Sequence, residues 1–170
     1  MRTESQKEEI NIDYVFHLID IPLTYYIAAI AIAAIVIAAT RHRNGRLCWD
    51  IGILTAYCFL IIVNTILIRT PGAVRYELNL FWSYSRPELR LEIISNIFMF
   101  IPVGIFGGAL WKWRTVLYAA GFSLVIELVQ LISRRGLFEF DDVIHNAAGA
   151  AVGVGLLMIA REIYKKTKAT

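Results

Sequence analysis

Two neighbouring stretches decide the reading of this chain: TVLYAAGFSLVIELVQLI at residues 115–132 and VIHNAAGAAVGVGLLMIA at residues 143–160. Each is apolar over about the length a helix needs to cross a ~30 Å hydrocarbon core. Ser123, Glu127, Gln130 and Arg134 fall at i, i+4, i+7 and i+11 along or just past the first. Asp142, Asn146, Gly149 and Gly153 repeat that spacing in the second. At 3.6 residues per turn each set marks one helix face. A short polar turn joins the two stretches, so the expected arrangement is an antiparallel hairpin whose marked faces meet. A carboxylate inside a hydrocarbon-spanning segment is costly and by default marks a functional site. Glu127 therefore leads the candidates.

The whole chain fits that environment. Of its 170 residues 58% are hydrophobic and 18% charged, and the mean hydropathy is +0.58, which is more apolar than a soluble domain of this size carries. Five apolar runs reach membrane length: Pro22–Thr40, Trp49–Ile68, Ile93–Trp111, Thr115–Ile132 and Val143–Ala160. The fold class expected is an all-α integral membrane protein, a bundle of about five transmembrane helices with a polar cluster in the outer leaflet. Residues 1–21 form a polar N-terminal tail, 22–68 the first two spans, 69–160 a core of one long loop and three spans, and 161–170 a basic tail. The first run is too long for a signal-peptide core and follows an acid-rich segment, so it is expected to stay in the protein. Cys48 and Cys58 are ten residues, about 15 Å, apart on one helix, too far for a disulfide.

Basic residues set the orientation. Arg41, Arg43 and Arg46, Lys112 and Arg114, and the four Lys and Arg of residues 161–170 lie densely in short segments. Those on the other side are spread over longer ones. Positive residues in short loops favour the cytoplasm, so residues 41–46, 112–114 and the C-terminus are expected inside. The N-terminus, the 69–92 loop and the 133–142 turn are expected outside. Asn64, Asn96, Glu127, Gln130 and Asn146 then share one depth, near the outer surface. That pattern fits a cavity opening outward, whereas a transmembrane relay would spread its polar groups along the path.

The candidate cavity residues are Asn96, Glu127, Gln130, Asp142 and Asn146, with Arg75, Asn79, Ser123 and Arg134 as secondary candidates. Gln130 and Asn146 also suit interhelical clamps. Asp141 suits a helix-start acid complementing the helix dipole, and His145, off the stripe, a satisfied interfacial residue. Gly104 with Gly108, and Gly149 with Gly153, are G-x-x-x-G pairs whose use is close helix approach. Pro102 leaves the Phe98 carbonyl without its helical partner. The aromatics and arginines of the 69–92 loop suit an interfacial belt or a pocket mouth. No zinc-binding spacing, nucleotide fingerprint or nucleophile elbow is present. No metal, cofactor or nucleic-acid partner is expected.

Three blocks resemble the VanZ-like family of small bacterial membrane proteins. Leu78-Asn79-Leu80-Phe81-Trp82 is similar to its Asn-Leu motif, without the proline usual after it. Asn96 to Gly104, with Phe100, Pro102 and Gly104, is similar to its Asn…Phe-x-Pro-x-Gly block. Ser123, Glu127, Gln130, Asp141-Asp142-Val143, Asn146 and Gly149 are similar to its most specific block. The resemblance spans roughly residues 75–155. It implies a multi-span helical domain and an association with glycopeptide resistance, notably to teicoplanin, but no established reaction.

Three functions fit these features. The first is a cell-envelope protein without established catalysis. It holds an envelope component, such as a lipid-linked precursor or a lipophilic glycopeptide, in the outer cavity and lowers glycopeptide susceptibility. The second is an intramembrane enzyme using Glu127 as acid/base on a lipid-linked substrate. The third is a structural partner of another membrane protein, its polar stripes acting as interhelical glue.

Overall fold

The computed structural model describes residues 21–42, 45–85 and 89–169. The N-terminal tail, Arg43 and Arg86 lie outside the described residues. Five helices carry the chain: α1 Leu23–Thr40, α2 Gly45–Ile62, α3 Arg90–Trp111, α4 Arg114–Ser133 and α5 Phe140–Ala169. With the extension described below for α2, all five are long and apolar enough to cross a membrane. The protein is an all-α, multi-pass bundle.

Three of the five differ in length from the sequence reading. α2 starts at Gly45 and ends in a π-helical turn, Val63–Leu67, closed by the Ile68 N–H on the Val63 carbonyl at 3.1 Å. α3 starts at Arg90, three residues before the apolar run. α5 continues through residues 161–169, the segment expected from sequence as a basic tail. Lys, Arg and Glu are good helix formers, and the Glu162–Lys165 pair at 2.8 Å supports that extension.

The tightest packing joins α3 to α5, and glycine makes it possible. A Cβ on Gly104 would overlap the Ala150 carbonyl, one on Gly149 the Ile97 carbonyl, and one on Gly153 the Ile101 carbonyl. Backbones therefore touch where side chains would otherwise separate them, as small-residue interfaces in membranes allow. Gly108 meets side chains instead, Val154 and Leu157 at 3.2–3.3 Å. α4 packs against α5, α2 against α3, and α1 chiefly against α2. Phe100, Ala119, Ile126, Ala150, Leu54 and Ile61 form the buried core. α4 leaves Leu117, Val125, Leu128 and Ile132 exposed, as a lipid-facing side requires.

The connections at one end, called the loop end below, are built rather than loose. Strand β1, Arg75–Glu77, pairs in parallel with β2, Leu137–Glu139. A 3-10 turn follows at Trp82–Ser85. Arg134 takes the left-handed conformation at φ 59°, and the Arg135 N–H returns to the Gln130 carbonyl at 2.9 Å, ending α4.

Candidate functional site

The matched spacings on α4 and α5 do bring their faces together, but as a chain of bonds with distinct partners. Asn146 donates through Nδ2 to Ser123 Oγ at 2.8 Å, both buried. One helical turn nearer the loop end, Glu127 Oε2 accepts the backbone N–H of Glu139 at 3.0 Å. Glu127 thus holds the strand that precedes α5, rather than a side-chain amide of α3 or α5. Gln130 turns away from both and donates through Nε2 to the Thr65 carbonyl at 2.9 Å.

That last contact has a structural cause. The final carbonyls of α2 have no partner within their own helix. Gln130 takes the Thr65 carbonyl, and Arg135 Nη1 takes those of Ile66 and Leu67 at 3.0 and 3.1 Å. The end of α4 therefore caps the end of α2 through side chains, and the π-turn carrying Asn64 is held against α4.

Asp142 faces the other way. Its Oδ1 accepts Asn96 Nδ2 at 2.6 Å across the α3–α5 interface. Both residues line a cavity of about 550 Å³ at the loop end, together with Arg69, Arg75, Glu92 and Glu139. A second cavity of about 450 Å³ runs between α1, α2 and α3, lined by Tyr26, Tyr57, Leu60, Phe98 and Met99. Asn64, Arg69, Ser95 and Asn96 line both, so the two chambers adjoin. The first chamber is charged, and the second is largely apolar away from the residues they share.

Of the five residues read as cavity-lining, Asn96 and Asp142 line the charged chamber. Glu127, Gln130 and Asn146 are buried behind its wall. Among the secondary candidates Arg75 lines the chamber and Ser123 stands behind it with Asn146. Asn79 is exposed and bonds to Glu77. Arg134 is exposed at the α4 cap, where its carbonyl accepts the Gly72 N–H at 2.7 Å.

Arg69, Glu92 and Glu139 also line the chamber, with no signal for this in the sequence. Only the fold brings these loop and helix-start residues to one chamber. Asp141 does more than complement a helix dipole. That carboxylate accepts Phe81 N–H at 2.6 Å and Ser83 Oγ at 2.8 Å, holding the aromatic loop down on the start of α5. Glu139 Oε2 adds the Trp82 indole N–H at 3.1 Å, and His145 Nε2 the Tyr84 hydroxyl at 3.0 Å. One signal was available: two adjacent acids at a helix start exceed what dipole complementation needs.

Electrostatics in the charged chamber is unbalanced. Glu139 is pushed up to about 7, first by burial and then by Glu92, against the pull of the Trp82 indole. Arg69 and Arg75 reach no carboxylate within ion-pair distance among the described residues. No group of three His, Cys, Asp or Glu side chains is arranged to hold a metal ion among those residues. The arrangement offers hydrogen bonds and charges of both signs to a bound polar group.

Neither a curated protein nor a solved structure matches this chain. The sequence profile of the VanZ/LLP1 family matches residues 23–161, taking in α1 and α2 as well as the blocks on the 69–92 loop, α3, α4 and α5. With most of its length matched, this multi-pass protein belongs to the VanZ/LLP1 family.

Proposed function

We propose that this protein acts at the bacterial cell envelope by holding an amphiphilic envelope component or a lipophilic glycopeptide in the two-chambered cavity, and that this lowers susceptibility to teicoplanin. The loop end faces outward in this reading, with residues 41–46, 112–114 and the C-terminus in the cytoplasm of a bacterium. One observation carries the proposal: a charged chamber and an apolar chamber share Asn64, Arg69, Ser95 and Asn96. Such a space matches a molecule with a polar head and a hydrocarbon tail, as lipid-linked precursors and acylated glycopeptides have. Both volumes lie within the range of about 300–1,000 Å³ usual for ligand sites.

Asn96 and Asp142 contact the ligand in this account. Glu127, Gln130, Ser123 and Asn146 position the walls. Glu127 is spent on the Glu139 backbone and does not line the chamber, which favours binding over acid/base chemistry at that carboxylate. Expression in a susceptible Gram-positive host tests the proposal. The expected result is raised tolerance to teicoplanin, more than to vancomycin, which is lost in Asn96→Ala and Asp142→Ala at equal membrane abundance. Unchanged susceptibility at confirmed expression overturns the resistance role.

A further inference from the structure

The charged chamber carries more information than polarity alone. Arg69 and Arg75 are the cations of its wall, and Glu92, Glu139 and Asp142 its carboxylates. The two guanidiniums pair with none of the three carboxylates among the described residues. Asp142 is bound to a neutral amide instead, and Glu139 to an indole N–H. Opposite charges left apart in one half-enclosed space are complementary to a ligand that carries both.

A purely anionic head would meet the guanidiniums but also three carboxylates, and a purely cationic head the reverse. A head with a phosphate and a primary ammonium meets both sets. Guanidinium is the side chain best shaped to grip phosphate oxygens. A primary ammonium has three N–H donors for the carboxylates, which a quaternary ammonium lacks. The adjoining chamber supplies the tail site. Leu60, Phe98 and Met99 give it apolar walls, and it leaves the charged chamber at Asn64, Arg69, Ser95 and Asn96.

We infer that the two chambers bind an aminophospholipid, with its phosphate at Arg69 and Arg75, its ammonium at Glu92, Glu139 and Asp142, and one acyl chain between α1, α2 and α3. This names the ligand class of the cavity proposed above and so rests on that reading of the site. It assigns no reaction.

The test uses the full-length chain, purified in detergent and stripped of co-purifying lipid. Mixed micelles offer it phosphatidylethanolamine, phosphatidylglycerol and phosphatidylcholine in equal amounts, and native mass spectrometry reads the lipid retained. Phosphatidylethanolamine should be preferred over each of the others by about tenfold in Kd. The double variant Arg69→Gln, Arg75→Gln should lose most retention. Glu92→Gln with Asp142→Asn should keep binding but bring phosphatidylglycerol level with phosphatidylethanolamine. Leu60→Trp, which fills the tail chamber without touching a charge, should weaken all three lipids together. Thermal unfolding in the same detergent identifies any variant that fails to fold, and the wild-type preference stands as a test without them.

Equal retention of the three lipids means an unspecific lipid shell and overturns the inference. A preference for phosphatidylglycerol means an anion site and overturns it as well. Loss of the teicoplanin effect with the lipid preference intact would sink the resistance proposal alone. A teicoplanin effect that persists while no lipid is preferred would sink this inference alone.

Discussion

Asn96 donates to Asp142 at 2.6 Å from the residue just before Ile97, whose carbonyl occupies the place a Cβ on Gly149 would take. The polar wall of the cavity is thus continuous with one of the three close backbone approaches between α3 and α5. Binding geometry and helix packing at this interface share one set of backbone positions.

Glycine substitutions should therefore separate by place. Gly149→Ala and Gly153→Ala put a methyl group into the Ile97 and Ile101 carbonyls. Each should cost about 1–3 kcal/mol of stability, the usual range for overpacking, and lower membrane abundance. Gly121→Ala, where a Cβ meets nothing within 4 Å, should be neutral or slightly stabilising. Thermal unfolding in detergent and quantified membrane fractions check both outcomes; equal behaviour of all three would contradict the packing described.

At Glu127 the outcome depends on shape more than on charge. Glu127→Gln keeps an oxygen for the Glu139 N–H, whereas Glu127→Ala leaves that buried N–H without an acceptor. Teicoplanin tolerance should survive the first change and fall with the second. Loss of the effect in Glu127→Gln, at normal abundance, would return this residue to the acid/base role.

Glu139 should make the loop end respond to pH. Its carboxyl sits at about 7 in the fold against an ordinary 4.5, with burial first and Glu92 second among the causes. A raised carboxyl favours the protonated folded form, so its stabilising contribution is complete below about 4.5 and is lost as pH rises through about 7. Glu92, Asp141 and Glu77 raise it further, and Arg69 and Arg75 line the same chamber. Trp82 fluorescence should titrate near pH 7, because its indole N–H binds this carboxyl. Glu139→Gln should remove that transition and flatten the pH dependence of stability over the window. A titration unchanged in Glu139→Gln would assign it to another group.

Orientation is decided by labelling. In a cysteine-free background, single cysteines at exposed Leu80 and Trp113 face opposite ends of the bundle. An impermeant thiol reagent on intact cells should label position 80 and spare position 113. The reverse pattern would turn the cavity toward the cytoplasm and remove the basis for an external ligand.

Apolar length was enough to place the five helices, and matched spacing to pair two of them, α4 and α5. Apolar length marks all five spans, because the thickness of hydrocarbon sets a minimum that only long apolar runs meet. The matched stripes on α4 and α5 implied that those two faces meet, since helical periodicity converts spacing into a face, and the structure joins them through Ser123 and Asn146. Glycine spacing marked α3 and α5 for close helix approach without naming the partner of either. The tertiary structure alone decided what each polar side chain does. Glu127 and Gln130 share a helix face, yet one holds the Glu139 backbone and the other the end of α2. Their partners are main-chain groups, and every residue has those, so no side-chain pattern could signal them. Arg69, Glu92 and Glu139 stand far apart in sequence and lie outside the apolar periodicity. They reach one chamber because the end of α2, the first turn of α3 and β2 pack at the same end of the bundle, where β2 is held by its pairing with β1.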